Sequence, residues 1–182
     1  EVNGTIRSTL GPDHIWVRAT VRGEGTILGQ IVGGRLSPGR DGFPGKMTVS
    51  KIGSLDDAST NFMVDISGTA AGEQYDQLIV LDGITHSSYT SAFGSLSVNL
   101  GFPPALGDQF LIIDNRSAAA INGILDSLPE DSIIETNGVS LQISYIGGDG
   151  NDVTLTAVPE AGVFWMLAGA AMMLVRRRGL RN

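Results

Sequence analysis

Apolar residues in this chain recur at every second position in short runs, and Gly, Asp, Asn, Ser or Pro separate the runs. Phe62-Met63-Val64-Asp65-Ile66 and Leu96-Ser97-Val98-Asn99-Leu100 alternate as half-buried strands do. The same reading predicts strands over residues 27–32, 46–52, 61–67, 77–81, 95–100, 109–113, 140–146 and 153–158, and residues 16–21 alternate in the same way. Predicted starts fall about 14 to 18 residues apart from Lys46 to Gln109, the regularity expected of solenoid rungs. Helical periodicity is nearly absent, although the alanine-rich stretch 117–125 reads equally as a short helix or as an irregular surface loop. The pattern changes at the C-terminus. An uninterrupted apolar run, 161–175, is closed by Arg176, Arg177 and Arg178. As a helix this run spans only ~22 Å, short of the ~30 Å hydrocarbon core, so crossing requires a thinned bilayer and snorkelling arginines. The arginines belong on the cytoplasmic side, and everything before Pro159 is expected to be exported.

Composition narrows the picture. The 182 residues suffice for one domain with a substantial core plus the tail. Acidic residues outnumber basic ones 19 to 12, and four of the basic ones lie beyond the apolar run. The part before Pro159 therefore carries 8 basic and 18 acidic side chains, a net of −10, which repels phosphate backbones and argues against nucleic-acid binding. With no cysteine, a disulfide framework, a thiolate zinc site and a cysteine nucleophile are all excluded. An exported protein needs a signal peptide, so Glu1 is expected to follow a processed or truncated start.

The tail, with Pro159-Glu160 ahead of the apolar run and the arginines behind it, resembles the PEP-CTERM sorting signal of Gram-negative bacteria that make exopolysaccharide. Ala161 stands where that family has its second proline. The resemblance implies an integral-membrane exosortase as partner, which recognises Pro159 and Glu160 and cleaves nearby. The competing readings are a tail anchor that is never cleaved and a buried C-terminal core helix. Three adjacent arginines fit the latter poorly.

The body carries a second resemblance. Gly33-Gly34-Arg35-Leu36-Ser37-Pro38-Gly39, Gly72-Glu73-Gln74-Tyr75-Asp76-Gln77-Leu78, Gly107-Asp108-Gln109-Phe110 and Ile143 to Val153 are similar, in this order, to phrases of autotransporter-associated β-strand repeats. The resemblance implies an all-β, right-handed parallel β-helix of a surface protein. The expected organisation is an N-terminal strand or cap region, or a fragment of a longer chain, at 1–24, a solenoid body at 25–158 and a sorting signal at 159–182 with a transmembrane helix at 161–175 and an arginine-rich tail. Twenty-five glycines supply the tight corners such a winding needs. The alanine-rich stretch or the final 140–158 hairpin is a candidate cap for an exposed end. An antiparallel β-sandwich is the alternative architecture.

Candidate chemistry is sparse. Asp56-Asp57 is an adjacent acid pair, as is Glu130-Asp131, but Asp56-Asp57 lies in a turn-like stretch and neighbours on a strand face opposite ways. His14 and His86 lack the spacing of a triad or a metal motif. Gly147-Gly148-Asp149-Gly150-Asn151-Asp152-Val153-Thr154-Leu155 fits one copy of a calcium-binding nonapeptide, yet calcium there needs at least two copies; a hairpin turn is the stronger reading, with Asp149 and Asp152 as the candidate calcium ligands. No cofactor is expected otherwise. The expected function is a non-enzymatic, exported surface or matrix protein, anchored in the inner membrane as a precursor, with exopolysaccharide as a candidate partner. A glycan-binding adhesin and a carbohydrate-active enzyme on a β-helix are the alternatives.

Overall fold

The computed structural model describes residues 1, 3–7, 14–17, 19–40, 42–53, 60–85 and 92–160. Within them the chain is all-β, as its period-two patterning predicts, with no helix. Fifteen strands form in chain order: β1 (Thr5–Arg7), β2 (His14–Trp16), β3 (Thr20–Gly23), β4 (Thr26–Val32), β5 (Arg35–Pro38), β6 (Lys46–Gly53), β7 (Thr60–Ile66), β8 (Gln77–Val80), β9 (Ile84–Thr85), β10 (Ala92–Leu100), β11 (Gln109–Asn115), β12 (Ile124–Leu125), β13 (Ile133–Thr136), β14 (Val139–Gly147) and β15 (Asp152–Val158). The eight runs read from the sequence correspond to β4, β6, β7, β8, β10, β11, β14 and β15, with ends shifted by a few residues at most.

The strands lie in a ten-stranded and a five-stranded sheet. From β3 onward the chain passes from one sheet to the other: β3, β5, β7, β10 and β12 build the smaller sheet, and the strands between them build the larger. Pairing is parallel throughout the smaller sheet and in the larger one from β1 and β2 to β11. The even spacing of strand starts therefore marks half of each circuit. Lys46 lies beside Gln77 and Thr60 beside Gly94, so the chain returns to a sheet only after visiting the other. Strands before Gly25 pair into the same two sheets. An antiparallel sandwich would need the opposite pairing.

In-register parallel strands place like positions above one another, and the inward ones form apolar columns. Ile15, Ile31, Ile52 and Ile84 make one. Met47, Leu78 and Ile113 make a second, and Val21, Leu36, Phe62 and Leu96 a third across the smaller sheet. Phe110 fills the end of the interior, edge-on to Tyr75 at 5.5 Å and to Phe102 at 6.0 Å between ring centroids.

The winding stops at β11. The column Ile6, Ile27, Val49, Val80 ends on Asn115, a polar residue only 1% exposed. β15 then pairs antiparallel with β11, β14 with β15 and β13 with β14, so a meander continues the larger sheet beyond its last parallel strand. The stretch 117–125 is irregular until β12, which settles its two readings in favour of a loop. Side chains take over its backbone groups. Asn115 Nδ2 donates to the carbonyls of Ala119 (3.0 Å) and Asn151 (3.2 Å), and Asn151 Nδ2 donates to that of Ser117 at 2.6 Å.

The columns predict a sharp contrast in mutational cost. Leu78→Ala removes a fully buried side chain flanked by Met47 and Ile113 and should cost about 2–5 kcal/mol in urea unfolding. Ile146→Ala, at a position 71% exposed, should stay within about 0.5 kcal/mol of wild type.

Candidate functional site

Three clusters bear on function: a buried carboxylate between the sheets, the turn joining β14 to β15, and the residues that follow β15. The carboxylate is Asp76, fully buried one residue before β8. Its Oδ1 accepts the Gly45 N–H at 2.8 Å and its Oδ2 the Asp65 N–H at 2.9 Å. Gly45 leads into β6 of the larger sheet and Asp65 lies in β7 of the smaller, so one side chain ties the sheets together. Burial pushes the carboxyl up to about 7; the two N–H bonds pull it down and the neighbouring Asp65 adds to the rise. Its neighbours act likewise. Tyr75 Oη accepts the Leu111 N–H at 3.3 Å, and Gln77 Nε2 donates to the Leu111 carbonyl at 3.0 Å. The Tyr-Asp-Gln-Leu phrase is thus a bracket between successive circuits, with Leu78 in the core. The sequence placed Asp76 in the Tyr-Asp-Gln-Leu phrase without assigning it a role of its own. Its signal was its place between an aromatic and an amide at the start of an apolar strand.

The second cluster is the hairpin turn between β14 and β15, where Gly148 and Gly150 take φ of 56° and 109°. Asp152 Oδ1 accepts the Asn115 N–H at 2.7 Å and Oδ2 the Asp149 N–H at 3.3 Å. Burial raises the Asp152 carboxyl above its usual range, and Asp149 and Asp114 add to this. With both Asp152 oxygens engaged, the turn offers Asp149 as its exposed carboxylate. Calcium takes six to eight oxygens; here the candidates Asp149 and Asp152 supply one exposed carboxylate and one that already accepts two backbone N–H groups. Among the described residues no group of three or more His, Asp or Glu is placed to hold a metal ion.

The adjacent acids Glu130 and Asp131 also serve the backbone and the meander. Glu130 Oε2 accepts the Tyr145 N–H at 2.7 Å and Asp131 Oδ1 accepts Gln142 Nε2 at 3.1 Å. Tyr145 Oη donates to the Leu128 carbonyl at 2.6 Å and accepts the Leu125 N–H at 2.9 Å; burial pushes its phenol up to about 12. His14 lies in β2, its backbone in register with Gln30. Asp56, Asp57 and His86 lie outside the described residues.

The third cluster is the candidate sorting motif. β15 ends at Val158, and Pro159 and Glu160 follow it directly, both exposed. The apolar run 161–175 and Arg176, Arg177 and Arg178 lie outside the described residues. Among the described residues no helix is long and apolar enough to cross a membrane.

No protein-family model matches the chain, and no similar curated protein or solved structure was found.

Asp76 generates a pH prediction. Its folded carboxyl titrates about 7 against 3.8 for the free side chain, so in that window the folded state holds the extra proton. Its stabilising contribution is complete below pH ~4 and is lost as pH rises through about 7. Asp76→Asn keeps one acceptor and loses the other, so it should begin less stable but lose less between pH 5 and 8. Urea midpoints across that range measure this, and equal declines in the two proteins would show that Asp76 does not titrate there.

Proposed function

We propose that this chain is an exported structural protein of the bacterial cell surface or extracellular matrix, with a right-handed parallel β-solenoid body and a tail read by an exosortase. The solenoid reading draws on parallel pairing in two sheets that the chain visits in alternation, and its hand follows from the strong preference of parallel crossovers for the right-handed connection. The observation that carries the sorting reading is the junction at Val158. The last strand of the described residues ends there, and the exposed Pro159 and Glu160 begin the motif with no spacer, followed in the sequence by the apolar run and three arginines. On this reading the tail holds the precursor in the inner membrane with its arginines inside, and cleavage near Pro159 and Glu160 releases the body outward. The body acts by bulk and binding, not catalysis.

Two variants separate anchoring from sorting. Replacing Arg176, Arg177 and Arg178 with glutamate removes the cytoplasmic charge, each arginine being worth about 1 kcal/mol at an anionic leaflet, and should release unprocessed precursor into the periplasm. Replacing Pro159 and Glu160 with alanine should leave the precursor anchored and unsorted. Cell fractionation with an immunoblot distinguishes these fates. Processing and delivery of both variants like wild type would show that the tail is not a sorting signal.

A further inference from the structure

Along the chain, basic side chains concentrate in the first part of the body. Seven of the eight that precede Pro159 lie within the first 51 residues, together with four acidic ones; from there to Val158 a single arginine, Arg116, stands against fourteen acidic residues. Pairing gathers part of this charge on the outward face of the smaller sheet. In β3, Val21 packs against the core, so Thr20 and Arg22 point outward; in β5, Leu36 is buried, so Arg35 points outward. Thr20, Arg35, Asn61 and Ser95 are in register on β3, β5, β7 and β10. Asn61 Nδ2 donates to Ser95 Oγ at 2.9 Å. Just after β5, Arg40 and Phe43 exchange backbone hydrogen bonds of 2.9 Å in a tight turn. Gly39 sets that turn with φ 77°, and a Cβ there would collide with the Phe43 carbonyl. Phe43 stands 71% exposed.

These residues line two open depressions that meet at Thr20 and together form a shallow groove. A cavity of about 570 Å³ is lined by Glu1, Thr20, Arg22, Arg40 and Phe43, and one of about 340 Å³ beside it shares Thr20 and adds Arg35 and Asn61. We propose that this groove binds an acidic polysaccharide, a chain of carboxylate-bearing sugars laid across strands β3, β5 and β7. Charge complementarity selects the ligand: arginines face the groove, in a body that is otherwise strongly acidic. A guanidinium takes a carboxylate in a two-bond fork. The exposed Phe43 ring offers an apolar face to a pyranose ring. Parallel strands repeat every ~4.8 Å, about the length of one sugar, so successive outward side chains meet successive residues of an extended glycan. Arg40 is held at 3.4 Å by Glu1, with both side chains more than half exposed, a pair that contributes little and that a ligand carboxylate can replace. A nucleic acid fits less well, because a backbone of dense phosphates must also approach the surrounding carboxylates. The inference deepens the matrix reading and rests on it for the presence of polysaccharide, but binding is measured without the sorting pathway, so either can fail alone.

The test uses the full chain in mild detergent, titrated against immobilised polygalacturonate, with neutral dextran and single-stranded DNA as comparisons. Wild type should bind polygalacturonate, weaken as salt rises from roughly 0.05 to 0.5 M, and ignore dextran. Arg35→Glu with Arg40→Glu should weaken binding at least about tenfold, or ~1.4 kcal/mol. Both arginines are exposed, so the unfolding midpoint should hold. Phe43→Ala should weaken binding with the salt slope unchanged. Absence of polygalacturonate binding, equal binding to dextran, tighter binding to DNA, or an unaffected double arginine variant would each overturn the proposal.

Discussion

A strand in a parallel sheet hands its backbone groups to two neighbours, and the rest of this structure depends on that pairing being renewed each time the chain comes round. Parallel neighbours cannot be joined by a tight turn, so the chain must leave, build something, and return. Here it builds the other sheet. β6 is reached from β4 through β5, and β8 from β6 through β7, so the inward faces of the two sheets bury one another. The columns of Ile, Val, Leu and Met follow directly: in-register stacking puts each inward side chain on the same kind of side chain one circuit earlier, where β-branched residues pack well on a pleated surface.

Such a winding has weak points at its corners and at its end, and buried polar side chains serve both. Asp76 collects N–H groups from the approach to β6 and from β7, and Tyr75 and Gln77 hold the Leu111 backbone of the next circuit. At the end, Asn115 replaces the aliphatic residue that the column leads one to expect. Its side chain binds the loop that follows, while its own N–H is taken by Asp152, the first residue of the strand that reverses direction. An amide cannot carry an apolar column further without leaving its polar atoms unpaired. The switch to antiparallel pairing therefore starts at the residue that ends the column.

The strands that share the core through several alternating residues were legible because their period declares a buried face. β9 and β12, of two residues each, carry no period, and β5 is masked by its Ser37-Pro38 ending although Leu36 is fully buried. The even spacing of strands was visible, but spacing alone does not say which sheet a strand joins, so half of a circuit looked like the whole. The candidate sites divide the same way. Pro159, Glu160 and the arginines behind the apolar run are contiguous in the chain. Asp76 is a lone acid whose partners, Gly45 and Asp65, are brought to it only by folding. Thr20, Arg35 and Asn61 are separated in sequence and become neighbours only through the register of β3, β5 and β7.

Charge and topology then combine into a functional polarity. From β1 to β12 each sheet keeps the order of the chain, so Arg22, Arg35 and Arg40 lie on or beside the first strands of the smaller sheet. The acidic remainder keeps such bodies soluble and apart through mutual repulsion. A uniform mixture of the same charges would present no preferred face to an anionic chain. On the proposed reading segregation permits both behaviours at once: a polyanion is repelled along most of the surface and held where Arg40 and the exposed Phe43 ring line one depression and Arg35 lines the next. On the proposed reading the membrane-proximal end, next to Pro159, is the acidic one. The arginine-lined depressions lie on the first strands of the smaller sheet, whereas Pro159 follows β15, which joins the larger sheet beyond its last parallel strand β11.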